Sequence, residues 1–285
     1  MKYGIGYMGS KSKIAKDIID LLPTGKRFVD LFGGGFAMSH CALLSGKYES
    51  VLYNDINPLI VQYVKDAITG KYSPLTFVPE FITRQLFYEL KDKDGYVKYC
   101  WSFGNNGKDY LYSKEKEQLK HILHDFIVFG KWNDCLPKEL LELVTAKDIK
   151  ERRKQTKRFM KQNGKRLDIE HLERLQHLEH LERLQHLQHF EYLEITCADY
   201  KDYQYKDGDV VYCDIPYYKT KQYDNFFDFN AFFNWVKTRP YQVYFSNNEK
   251  IPQVFPCIWQ KEIKTTLCSN NNAVKQNERL YVNKL

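Results

Sequence analysis

The sequence predicts an α/β fold in which a parallel sheet is interrupted by an inserted, mainly helical subdomain. Two observations carry this expectation. Residues 1 to about 70 alternate short apolar runs, each stopped by glycine or a polar residue, with stretches whose apolar positions recur every three to four residues. The same alternation returns from about residue 190, while the chain between is rich in lysine, aromatics and amphipathic stretches. Segments 1–70 and 190–285 are therefore expected to fold together, with an insert over 71–166 and a low-complexity stretch over 167–189.

Taken in order, Ser10 is placed to cap a first helix with apolar positions Ile14, Ile18, Leu21 and Leu22, ended near Pro23 and Gly25. Residues 28–32 form an apolar strand stopped by Gly33, Gly34 and Gly35. Segment 36–44 suits a helix, 51–53 a second strand and 59–68 another helix. In the insert, 115–129 is amphipathic and helical. Beyond it, 192–196, 209–213 and 242–246 read as strands, two of them with polar ends at Asp214 and Ser246. In such folds ligands bind at the carboxyl ends of the strands.

The stretch HLERLQHLEHLERLQHLQHF, over 171–190, repeats an apolar residue every three positions. On an α-helix each step of three falls about 60° short of a turn, so its leucines spiral round the surface and form no single stripe. A spacer or short packed helix is expected, with a leucine surface for a partner as the alternative. The five histidines recur with the repeat and lack supporting carboxylate geometry, so no metal site is expected.

Composition narrows the class. With 285 residues, 43% hydrophobic and 15% aromatic, the chain has enough apolar surface to exclude disorder throughout. Its seven cysteines are scattered and never occur as C-x-x-C, which argues against a disulfide framework or zinc site and for a reducing cytoplasm. No run approaches the roughly 18 apolar residues of a membrane span, so a soluble, unprocessed protein is expected. The net charge of +7 is unevenly spread: 147–166 holds ten basic residues against two acidic ones. That points to a polyanion partner, the alternative being a solvated helix face.

Three features at expected strand ends carry chemistry. Asp30-Leu31-Phe32-Gly33-Gly34-Gly35 couples a strand to glycines that permit a tight turn and close approach to a ligand, but Met38 stands where a dinucleotide fingerprint has its third glycine. Asp55, at the end of the next strand, suits hydrogen bonds from ribose hydroxyls or a helix cap before Asn57-Pro58. Asp214-Ile215-Pro216-Tyr217 offers a carboxylate, a carbonyl and a ring, enough to take an exocyclic amine of a stacked base. As an Asp-x-Pro sequence it is also ordinary turn chemistry.

With these residues the chain resembles the Dam-type (D12 class) DNA adenine N6-methyltransferases over most of its length outside the repeat. Tyr7-Met8-Gly9-Ser10-Lys11 is similar to the family's N-terminal cofactor motif, segment 28–35 to its glycine motif and Asn54-Asp55-Ile56 to its ribose motif. Cys197-Ala198-Asp199-Tyr200 resembles the segment beside the cofactor's adenine, and Asp214-Ile215-Pro216-Tyr217 the catalytic D-P-P-Y. Phe245-Ser246-Asn247 and Ser269-Asn270-Asn271 resemble later motifs.

The resemblance implies a Rossmann-like, S-adenosylmethionine-dependent methyltransferase sheet with an inserted DNA-recognition subdomain. Its implied cofactor contacts are Tyr7, Lys11, Asp30, Phe32, Gly33, Gly35, Asp55, Ile56, Asp199 and Tyr200, and its implied catalytic residues Asp214, Ile215, Pro216 and Tyr217. It further implies site-specific methylation of a flipped adenine in double-stranded DNA, without a metal, in a prokaryotic cytoplasm. Whether the enzyme serves a restriction partner, a phage or another mobile element stays open. Ile215 departs from the family's first proline but still offers the backbone carbonyl, and Pro216 still biases it to the extended region. Asn105, Asn106 and Lys108 in a turn-rich loop, with Arg152, Arg153 and Lys154 in the basic tract, are the DNA-binding candidates. An RNA adenine methyltransferase, a non-catalytic DNA-binding module and a nucleotide-dependent oxidoreductase are the alternatives.

Overall fold

The structure is a computed structural model that describes residues 2–73, 77–146, 148–162, 184, 191–217, 227–248, 251, 254–265 and 274–284. The chain divides into two compact units, one made of residues 1–4, 9–61 and 190–285, the other of 5–8 and 62–189.

The first unit is built on seven strands: β1 (Gly25–Asp30), β2 (Tyr48–Asn54), β3 (Leu193–Thr196), β4 (Asp209–Cys213), β5 (Val243–Asn247), β6 (Cys257–Thr265) and β7 (Val274–Val282). They form one sheet in the order β3-β2-β1-β4-β5-β7-β6. β1 to β5 are parallel, whereas β7 runs antiparallel between β5 and β6. A purely parallel dinucleotide-binding order, 3-2-1-4-5-6, has no such reversed strand. The terminal hairpin is a departure from the parallel sheet expected from sequence.

Successive residues of a strand point to opposite faces, and both faces here are covered. Phe28, Val210, Tyr212, Tyr244 and Leu280 join one core with Ile14, Ile18, Ile19 and Met38. Their neighbours Val29, Val211, Cys213, Phe245 and Tyr281 join a second core with Phe232 and Val236. This two-sided burial is why β4, β5 and the Phe28-Val29 end of β1 read as apolar runs. Helices α1 (Ala15–Leu21) and α2 (Ala37–Ser45) supply the first cover, and the helix Phe229–Lys237 the second.

Ser10 does not cap α1. The helix starts at Ala15, and the carbonyl of Lys11 accepts the N–H groups of Ile14 and Ala15 at 2.8 Å each, so a tight turn replaces the expected first helical turn. That turn leaves the Lys11 side chain 4% exposed.

The second unit holds the later part of α3 (Pro58–Ile68), then α4 (Arg84–Leu90), α5 (Gly95–Cys100), α6 (Lys114–Phe129), α7 (Lys138–Leu143) and α8 (Ile149–Gln162). Thr83 and Asp94 cap α4 and α5 by accepting the N–H of Leu86 and Val97. Leu123, Phe126, Ile127, Leu140, Phe159 and Met160 form the core that joins α6, α7 and α8. The period-three repeat, Leu184 aside, and Ser269-Asn270-Asn271 lie outside the described residues.

Candidate active site

The candidates in the first unit follow the ends of β1, β2, β3 and β4, with Lys11 in the turn before α1. Asp30 closes β1 with 1% of its surface exposed. The Ser39 hydroxyl donates to its Oδ2 at 2.7 Å, while Oδ1 has no hydrogen-bond partner. Burial lifts its pKa to about 7; the Ser39 bond opposes the shift and the charges of Asp214 and Asp55 add to it. After Asp30 the backbone must pass close to Tyr53. A Cβ on Gly33 would stand 2.2 Å from that buried ring, and the Tyr53 hydroxyl donates to the Gly34 carbonyl at 2.8 Å. A Cβ on Gly4 would likewise stand 2.2 Å from the Gly35 carbonyl oxygen. Phe36, at the start of α2, holds a left-handed φ of 67° that a side-chain-bearing residue rarely adopts.

Asp55 is fixed from two sides: Oδ2 accepts the Gly34 N–H at 2.9 Å and Oδ1 the Asn57 N–H at 2.8 Å. Burial raises its pKa, against the pull of those two bonds. It thus clamps the glycine turn and orders the approach to the next helix, where the Asn57 side chain accepts the Leu59 N–H at 3.0 Å. Next to it Ile56 is 62% exposed. Asn54 ties the three strand ends together, donating to the carbonyls of Leu31 and Ala198 and accepting from Ala198 N–H and the Thr196 hydroxyl. Asp199 caps the short turn Tyr200–Asp202. Tyr200 and Phe32 stack toward each other at 5.2 Å and share contacts with Phe232, so Tyr200 serves the second core.

The second cluster forms where β4 ends. Lys11 Nζ lies 2.7 Å from Asp214 Oδ1, and the Ser246 hydroxyl donates to the same oxygen at 2.9 Å. Tyr212 shares a 2.7 Å hydrogen bond with Ser246 Oγ. Lys11 also reaches the Tyr217 hydroxyl at 3.4 Å, lies 4.8 Å from the ring centroid and stands 3.8 Å from Glu278 Oε2. The Tyr217 hydroxyl in turn donates to Glu278 Oε1. Burial works against the Lys11 ammonium, but Asp214 and Glu278 outweigh it and hold the group protonated far above the usual lysine range. The Asn247 amide donates to the Pro216 carbonyl at 3.2 Å and pins the segment. Ile215 is 2% exposed, its side chain part of the second core.

Asp214, Tyr217 and Lys11 are thereby brought together. Sequence reasoning missed Glu278 and the role of Ser246. Ser246 carried a signal in the Phe245-Ser246-Asn247 segment; Glu278 carried none, because β7 looks polar along its length. Among the described residues no group of three or more His, Cys, Asp or Glu is placed to hold a metal, and no helix is long and apolar enough to cross a membrane.

The remaining candidates lie in the second unit. Tyr7 meets Tyr99 edge-on, with centroids 5.1 Å apart. In the turn-rich loop, Asn105 donates to the Tyr99 carbonyl at 2.6 Å, and Asn106 accepts the N–H groups of Lys108 and Asp109 while donating to the Asp109 carboxylate. Both amides build the loop, and Lys108 is half-buried beside them. Phe103, at the same turn, is 57% exposed.

Arg152, half-buried, is engaged within the protein. Its guanidinium donates to the carbonyls of Ile127 and Val128 at 2.7 and 2.8 Å, satisfying the open end of α6. The basic tract is otherwise sorted by helical spacing. At 100° per residue, positions 150, 153, 154, 157 and 158 fall within one arc of about 140° on α8, and Thr156, Phe159 and Met160, which face the core, fall outside it. Lys154 pairs with Glu151 at 3.6 Å.

Against known proteins, the family model described as D12 class N6 adenine-specific DNA methyltransferase matches residues 7–245. No curated protein matches the chain.

Proposed function

The chain belongs to the D12 class of N6 adenine-specific DNA methyltransferases, and we propose that Asp214, Ile215, Pro216 and Tyr217 form the site that receives the adenine of double-stranded DNA. The observation that carries this reading is the anchoring of Asp214: Lys11 and Ser246 both hold Oδ1 at the carboxyl end of a central strand. A carboxylate fixed on one oxygen keeps the other as an oriented acceptor. The carboxylate and the Ile215 carbonyl accept the two N6–H bonds, and the Tyr217 ring stacks on the base.

The N6 lone pair is delocalised into the adenine ring, which makes it a poor nucleophile. Hydrogen bonds to Asp214 and Ile215 favour the more tetrahedral nitrogen of the transition state over the planar ground state, and this difference is what accelerates transfer. With the cofactor bound, its sulfonium would supply the methyl group, and the proton that N6 gives up in exchange would pass to solvent. Ile215 in place of proline retains the carbonyl, and its side chain fills the core.

The family depends on S-adenosylmethionine, and the residues at the ends of β1 and β2 fit it. Asp30 has a buried carboxylate oxygen without a partner, and Asp55 retains lone pairs for ribose hydroxyls beyond its two backbone bonds. Asp30, Gly33, Gly35, Asp55 and Ile56 are the residues proposed to hold it, with Phe32 and Asp199 beside them. When bound, the cofactor supplies a methyl group on a sulfonium, a good leaving group.

Extruding an adenine from a duplex costs a few kcal/mol of stacking and pairing, which phosphate contacts offset. The basic arc of α8, with Arg153, Lys154, Lys157 and Arg158, is the proposed phosphate-binding face. The test is transfer of a labelled methyl group from S-adenosylmethionine to unmethylated DNA, with RNA and Asp214→Ala protein alongside. Label recovered as N6-methyladenine in DNA and lost in the variant is the expected result. Equal transfer by the variant would remove Asp214 from the chemistry, and cofactor binding without transfer to either nucleic acid would favour a binding module.

A further inference from the structure

We propose that Glu278 is a positioning residue of the methyl-transfer site, holding the Tyr217 hydroxyl and sharing Lys11 with Asp214 so that ring and carboxylate are set before the base arrives. The inference rests on the reading of Asp214 and Tyr217 as the adenine site. Glu278 lies on β7 and has no exposed surface. An acid at such a place is costly unless its oxygens are used. Oε1 accepts from Tyr217, and Oε2 accepts no hydrogen bond but stands 3.8 Å from Lys11 Nζ.

The two contacts have different consequences. The Tyr217 hydroxyl lies on the axis about which the ring turns, so anchoring it fixes where the ring stands and the direction of its long axis, and with them the place where a base would stack. Lys11 faces two carboxylates, and the share drawn to Glu278 limits how strongly the ammonium neutralises Asp214 as an acceptor. The charged and titratable groups facing Glu278 are Lys11, Tyr217 and Asp214, with Arg279 adjacent on the strand, bonded to Gln260 and to the Asn248 carbonyl. Lys261, opposite Glu278 on β6, is paired with Asp17 at 2.6 Å. Burial raises the Glu278 pKa, and Lys11 is the main force against it.

The experiment measures kcat, its pH profile and the affinity for S-adenosylmethionine in the full-length protein, in Glu278→Gln, in Tyr217→Phe and in the double variant. Each single change is expected to lower kcat by about 10- to 100-fold with cofactor affinity held within about twofold. The double variant is expected to be no slower than the worse single one, because both changes break one link. In Glu278→Gln the acid limb of the profile moves to lower pH, since one carboxylate has left the Lys11 cluster. Unchanged kcat and pH profile in Glu278→Gln, or losses that multiply in the double variant, would overturn the proposal. Should Glu278→Gln fail to fold, a Tyr217→Phe protein with the kcat and profile of the unaltered enzyme overturns it by itself. Absence of transfer by the unaltered protein would overturn the adenine-site reading beneath it.

Discussion

Replacing Asp30 by asparagine should change how stability depends on pH, in a direction that its burial dictates. In the native state the carboxyl is 1% exposed with a pKa of about 7, against 3.8 for the same group in the unfolded chain. Between those values the folded protein binds more protons at this group than the unfolded chain does, so stability falls as pH rises. The contribution is fully present below pH 3.8 and is lost as pH climbs through about 7. A gap of roughly three units corresponds to about 4 kcal/mol, accumulating at about 1.4 kcal/mol per unit. Asparagine has nearly the same shape, still accepts the Ser39 hydroxyl and does not titrate. The stability of Asp30→Asn minus that of the unaltered protein is therefore expected to rise with pH by about 4 kcal/mol and to level off above pH 7. Burying the amide's extra donors adds a constant to that difference and leaves its slope alone. Urea denaturation of both proteins at unit steps of pH, without ligand, measures it. A difference that does not change with pH would refute the assignment of a buried, titrating carboxyl to the end of β1.

The other predictions concern the glycine turn, the catalytic loop and the basic helix. Gly33→Ala puts a Cβ 2.2 Å from the fully buried Tyr53 ring, so a loss of about 1–3 kcal/mol is expected from overpacking, read by thermal unfolding, together with weakened S-adenosylmethionine binding by calorimetry. Ile215→Ala empties a core position that is 2% exposed and should cost about 2–5 kcal/mol. Its kcat, measured where the variant is folded, should stay within a few-fold of the unaltered enzyme's because the backbone carbonyl remains. Lys154→Gln with Arg158→Gln should lower the slope of log affinity for DNA against log salt by about 2. Arg152→Gln should leave that slope unchanged and reduce stability, since its guanidinium bonds the end of α6.

What was legible in the sequence, and what was not, follows from how each residue is used. β4, β5 and the buried end of β1 are covered on both faces, so they appear as apolar runs; Asp214 and Ser246 stand out where two of them end, and Asp30 as the polar residue inside the third. β6 and β7 carry lysine, glutamate and glutamine along their length and pair with each other through a long antiparallel register, so nothing in their composition marks them as strands. Sequence reasoning sorts a charged residue as solvated or as facing a ligand. Arg152, Glu278 and the loop residues Asn105 and Asn106 belong to a third group, polar side chains whose partners are in the protein itself, and only the fold supplies those partners. Lys11 shows how closely the groups meet. The turn that removes Ser10 from its expected capping position is the one that carries Lys11 toward Asp214, so a local departure in the first helix and the assembly of the site have the same cause.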